Sequence, residues 1–170
     1  EFIKKALNIT DKNDKNLELY IKHCKDPAAQ YSLGLRLMQG KGVEEDIQQS
    51  LKWYRLAAYQ GHDKAQNNLG MYYYHEKRDY NEAYDWLNKA AQQGNAKAYN
   101  TLGWMSYFGR GVRKSLDDAL EYFTASSAKG HQAAKENVKF INDLLQFENP
   151  SIKQPKRAMN RRIEYTEIMF

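Results

Sequence analysis

The chain has 170 residues, 42% of them hydrophobic, which suffices for one domain with its own core. No apolar run approaches the roughly 18 residues of a membrane-spanning helix, and strand signals are weak, so the expectation is an all-α protein with no transmembrane segment. The net charge of +5 is uneven: Lys153, Lys156, Arg157, Arg161 and Arg162 against Glu164 and Glu167 put +3 on the residues after 149 and leave a nearly neutral body.

Residues 2–9 and 16–25, with a turn at 11–14, read as a helix pair. Its second half carries Leu17 and Glu18 where later segments carry an aromatic pair, so residues 1–27 are expected to be degenerate capping helices. The chain begins at Glu1 rather than at a methionine, which fits either a removed leader or a cut boundary and leaves the compartment open. Cys24 is the only cysteine and excludes an intramolecular disulfide. His23 beside it is no ligand partner, because adjacent helical residues point apart and no further ligands have zinc spacing, so a half-buried structural thiol is expected.

From residue 28 the chain repeats itself. Leu33-Gly34, Leu69-Gly70 and Leu102-Gly103 recur, with Gly61, Gly94 and Gly130 between them. The step from Gly61 to Gly70 and from Gly94 to Gly103 is 9 residues, and a further step of 9 from Gly130 lands on Lys139, a degenerate copy. The other interval is 27, 24 and 27 residues. One junction of fixed length and one that absorbs an insertion is the behaviour of stacked helix pairs. The units are 28–64, 65–97 and 98–133, followed by a capping helix at 134–148 and a basic tail at 149–170.

Within each unit the first helix begins near Ala29, Ala65 and Ala98, with Leu and Gly four and five residues on and Leu37, Tyr73 or Phe108 beyond. A glycine inside a helix costs about 1 kcal/mol against alanine, so its repetition points to close approach of the unit's second helix. The third unit has Ser106 where the second has Tyr73, and looser packing is expected there. The second helices carry Trp53-Tyr54, Trp86-Leu87 and Tyr122-Phe123, then Ala57-Ala58, Ala90-Ala91 and Ser126-Ser127, a knob beside a groove. Gly61, Gly94 and Gly130 end these helices in the C-cap place, with His62, Asn95 and His131 in the short turn after them. Asp46, Asp79 and Ser115 stand as N-caps of the second helices.

Units one and three carry Gly40-Lys41-Gly42-Val43 and Gly109-Arg110-Gly111-Val112, whereas unit two turns at residues 76–79. A phosphate-binding turn is disfavoured because the glycines follow a helix rather than a strand; the valine is read as a core plug. In the capping helix Val138, Ile141, Leu144 and Leu145 share one face. Pro150 and Pro155 then break helix formation, and residues 157–170 place Met159, Ile163 and Phe170 on one potential helical face below a basic one.

These residues together resemble a Sel-one-like repeat, a member of the tetratricopeptide-like helical solenoids, over about residues 28–137. Unit two departs by losing its Gly-x-Gly-Val loop and unit three by Ser126-Ser127. The resemblance implies a right-handed α-α superhelix of helix-turn-helix repeats and an adaptor role, often in bacterial envelope, secretion or host-interaction systems. The compartment stays open between a bacterial periplasm and a cytoplasm, and the single cysteine keeps the chain outside the disulfide-bonded secreted branch of these repeats. The resemblance also implies that the first helices line a concave groove. By that geometry Tyr31, Asn67 and Asn100, then Leu35, Met71 and Trp104, then Met38, Tyr74 and Tyr107 face the groove, with Ala28, Lys64 and Lys97 at its edge. Similarity to peptide-binding relatives implies that Asn67 and Asn100 hydrogen-bond a peptide backbone and that Lys64 and Lys97 meet acidic groups.

The expected function is therefore a protein-interaction adaptor that grips a protein or peptide segment, with an inhibitor or immunity-type protein that blocks a toxin or enzyme as the alternative. Helical-repeat nucleic-acid binding ranks lower, because cations do not recur in the groove beyond Lys64 and Lys97. No enzyme, cofactor or metal is expected: His23, His62, His75 and His131 occupy turns or helix ends and no catalytic constellation can be built from spacing. Replacing Trp104 and Tyr74 together by alanine is expected to weaken partner capture and leave the fold intact.

Overall fold

The computed structural model describes Leu19 and residues 23–148. Among the described residues seven α-helices follow one another from residue 27: α1 (Pro27–Gln39), α2 (Ile47–Tyr59), α3 (Asp63–Tyr72), α4 (Tyr80–Gln92), α5 (Ala96–Phe108), α6 (Leu116–Ala128) and α7 (Gln132–Glu148), with a π-helical turn, Tyr73–Lys77, between α3 and α4. Among the described residues, substantial packing joins only helices adjacent in the chain, so the fold is an all-α solenoid built from hairpins in line. The degenerate helix pair expected at residues 1–27 and the tail at 149–170 fall almost wholly outside the described residues.

The repeated glycines have the steric cause that their spacing predicts. A Cβ at Gly34 would lie 2.7 Å from the Tyr54 ring, one at Gly70 2.6 Å from Leu87, and one at Gly103 2.6 Å from Phe123. All three neighbours are the second member of the unit's bulky pair on α2, α4 and α6. The first member of the pair in unit two turns to the preceding unit instead: Trp86 packs with Leu51, Ala57 and Ala58 of α2 and meets the Tyr59 ring edge-on at 5.2 Å. Ser106 is buried and the Phe123 ring is fully enclosed, so the third unit is closed by its larger aromatic and the looser packing expected there is not found.

The junctions between units share one geometry. Gly61, Gly94 and Gly130 have φ of 91°, 87° and 89°, the left-handed region that only glycine enters freely. The amides of His62, Asn95 and His131 then donate back to Ala57, Ala90 and Ser126, which satisfies helix-end carbonyls. His62 and Asn95 also start the next helix: His62 Nδ1 accepts from the Ala65 amide and Asn95 Oδ1 from the Ala98 amide. The first helices thus begin at Pro27, Asp63 and Ala96, two residues ahead of the alanines expected, because the side chain after the glycine is a cap rather than a turn residue. Asp46, Asp79 and Ser115 cap α2, α4 and α6 as expected.

The inserted loop of unit three is a joint to unit two. Gly111 has φ +72°, and its bare Cα lies against the carbonyl of Tyr80 at the start of α4, where a Cβ would collide. Val112 packs on the second unit's core, while Val43 is buried at 1% exposure. Unit two, three residues shorter, makes its reversal with the π-helical turn, closed by Arg78 in the left-handed region at φ 53°.

Candidate functional site: a hollow on the wall of first helices

Leu35 and Met38 in the last turns of α1 and Met71 near the end of α3 come from separate units and line one hollow of about 700 Å³. Its floor is Leu51 and Tyr54 of α2, and its rim carries Ile47, itself 45% exposed, with His75, Glu76 and Lys77 of the π-helical turn. The Tyr54 phenol is held above its ordinary pKa by burial, so the floor is uncharged at neutral pH.

The equivalent space between α5 and α7 is filled. Trp104 stands at the position of Leu35 and Met71, and its ring lies 4.9 Å from Phe123 and 6.1 Å from Phe140, centroid to centroid; Tyr107 lies 5.5 Å from Phe140. The rings of Trp104, Tyr107 and Phe140 close a slot that leucine and methionine leave open. Phe140 escapes a reading based on the apolar face of α7, yet it lies two residues after Val138, as Trp104 does after Leu102, and carries the same row into the last helix.

The expected groove residues therefore divide. Leu35, Met38 and Met71 gather at the hollow. Tyr31 stacks between Tyr54, at 5.7 Å, and His62, at 4.7 Å. Lys64 and Lys97, like Ala28, are exposed. Asn67 is buried at 6% exposure, and its Oδ1 has no hydrogen-bond partner among the described residues. Asn100 Oδ1 instead accepts from Asn137 of α7 at 2.7 Å. Trp104 and Tyr107 are half-buried against Phe140.

Tyr74 is the clear correction. It lies in the core with Leu87, Leu102 and Met105, and its hydroxyl accepts from Arg110 at 2.6 Å. The guanidinium of Arg110 also packs over the rings of Tyr74, Tyr80 and Phe108. The cause is the π-helical turn: its wider winding rotates Tyr74 off the face that a continued α-helix would give it. Alanine at Trp104 and Tyr74 together would remove packing, so that pair is no test of a groove.

Chemically the hollow offers apolar contact, with Gln48, Asn68 and the side chains of the π-helical turn as its polar groups. Among the described residues no group of three His, Cys, Asp or Glu is placed to hold a metal, and no helix is long and apolar enough to cross a membrane. His62 serves as a helix cap, with its pKa lowered by burial. His131 Nδ1 is buried without a partner among the described residues, and Cys24 is half-buried.

A sequence model of the Sel1 repeat matches residues 27–62, 63–95 and 96–131. The chain is 42% identical over 57 residues to a putative sel1-like repeat-containing protein of Acanthamoeba polyphaga mimivirus, a match covering 34% of this chain and 10% of that protein. Among solved structures it is similar to a Sel1 repeat protein from Oxalobacter formigenes, with TM-score 0.64, 30% identity and coverage of 69% of this chain and 90% of the other. It is also similar to a protective antigen of uropathogenic Escherichia coli with an SLR fold, with TM-score 0.66 and 31% identity over 70% of this chain and 27% of that one. Helicobacter pylori cysteine rich protein B shares the fold at TM-score 0.58 and 22% identity, over 72% of this chain and 91% of the other.

Proposed function

This chain belongs to the Sel1 repeat family, typically non-catalytic helical scaffolds for protein interactions, and on that premise we propose that it holds a segment of a partner protein against the wall of its first helices. The observation that carries the reading is the hollow itself: Leu35, Met38 and Met71, supplied by two units, surround a space whose equivalent between α5 and α7 is filled by the rings of Trp104, Tyr107 and Phe140. The volume falls within the range of about 300–1,000 Å³ typical of sites that bury most of a small ligand, enough for a few large side chains. The methionines there adapt to varied shapes.

Selection from a displayed library of random peptides tests this, with the Met38→Glu/Met71→Glu variant as counter-target. Peptides rich in apolar residues should be retained by the wild-type chain and lost by the variant, both melting at similar temperatures. Enriched peptides that bind both equally would contradict it.

A further inference from the structure

The hollow opens at the same edge of the stack from which the chain leaves α7. Leu35 and Met38 occupy the end of α1, Met71 the end of α3, and Ile47 the start of α2. Helices α1, α3, α5 and α7 run the same way, because each unit reverses the chain and brings it back. The C-terminal end of α7 accordingly lies beside the links between first and second helices. Leu145 marks this directly, sharing a cleft with residues 113–118, the link from α5 to α6.

Reach is sufficient. Side chains of α3 and α5 meet at Met71 and Thr101, and those of α5 and α7 at Asn100 and Asn137; with axes of touching helices about 8–10 Å apart, α7 and α3 are separated by about 20 Å. Residues 149–156, fully extended, span up to about 27 Å. The segment that follows has the chemistry to fit. Wound as a helix at about 100° per residue, Met159, Ile163 and Phe170 fall within about 40° of one another, and Arg157 and Arg161 lie on the opposite side. The acidic run Glu44, Glu45 and Asp46 leads directly into Ile47, and Glu76 lines the hollow beside Lys77, so the rim suits Arg157, Arg161 and Arg162 of the segment and Lys153 and Lys156 of the stretch before it.

We propose that residues 157–170 of this chain dock into the hollow through Met159, Ile163 and Phe170 and compete there with the partner segment. The regulatory part of this inference rests on the hollow being the binding place; the docking itself does not. The full chain labelled with ¹³C at its methionine methyl groups tests it without any partner. Met38 and Met71 report from the hollow and the buried Met105 from the core. In the Ile163→Glu/Phe170→Glu variant the Met38 and Met71 resonances should move while Met105 stays, and adding a peptide of the sequence of residues 157–170 should move them back. Resonances of Met38 and Met71 that coincide in the two chains would overturn the proposal. So would shifts that depend on protein concentration, which would give the hollow to a second copy. A tail without effect on those methyls, together with selected peptides that do shift them, would sink the docking and leave the partner reading standing. A tail effect without any hollow-dependent peptide would do the reverse.

Discussion

The Phe123 ring fills the space in which a side chain at Gly103 would begin, so that a Cβ built there stands 2.6 Å from Cε1. Alanine is the better helix former by about 1 kcal/mol, yet here the clash with a fully buried ring wins, since forcing extra volume into a packed core costs about 1–3 kcal/mol. Gly103→Ala should therefore lower the urea midpoint of unfolding. Adding Phe123→Leu should recover part of that loss, even though Phe123→Leu alone destabilises. A Gly103→Ala chain as stable as the wild type would show that α5 and α6 can part without cost.

Tyr74 and Arg110 join the second unit to the third. Tyr74→Phe keeps the ring beneath the guanidinium and removes only the acceptor hydroxyl, so it should cost about 1–3 kcal/mol as a hydrogen bond to a charged group. Tyr74→Ala removes a buried aromatic and should cost about 3–5 kcal/mol. Urea unfolding of both variants checks the order; equal costs would mean that the ring contributes nothing beyond its hydroxyl.

His62 gives stability a pH dependence of known sign. Its Nδ1 must stay unprotonated to accept from the Ala65 amide, and burial lowers its pKa below the ordinary 6.5. Above 6.5 the imidazole is neutral in folded and unfolded chains alike and its contribution is complete. As pH falls below 6.5 the unfolded chain takes up the proton first, so stability declines toward the depressed folded value. His62→Asn, which copies Asn95 at the same place in the next unit, should flatten the change in urea midpoint between about pH 7.5 and about pH 5.5 relative to the wild type. An unchanged slope would place the dependence elsewhere.

Much of this architecture could be read before any coordinates. The spacing of Gly34, Gly70 and Gly103 against bulky pairs downstream implied tight crossings, and the crossings are there with the expected partners. The caps Asp46, Asp79 and Ser115 were legible because capping is local chemistry. The inner wall was less so. Tyr74 was placed by continuing an α-helical register through a segment that winds as a π-turn, and a three-residue deletion in the loop gives no hint of which winding replaces it. The repeat register puts Trp104 and Tyr107 on the groove wall and gives no sign of Phe140, which fills against them from a helix whose Leu-Gly pair has decayed to Val138-Lys139. The hollow at Leu35, Met38 and Met71 depends on what is missing beside them, and periodicity does not record missing volume.

The most direct measurement of the central claim is the dissociation constant of one selected peptide, determined by calorimetry for three chains of matched melting temperature. Met71→Glu places a charge inside the hollow and should weaken binding at least tenfold, about 1.4 kcal/mol or more. Leu56→Glu makes the same kind of change at a residue of α2 that is 49% exposed and does not line the hollow, and it should leave the constant within twofold, about 0.4 kcal/mol. Equal affinity for the wild-type and Met71→Glu chains, or a loss confined to Leu56→Glu, would contradict binding on the wall of first helices.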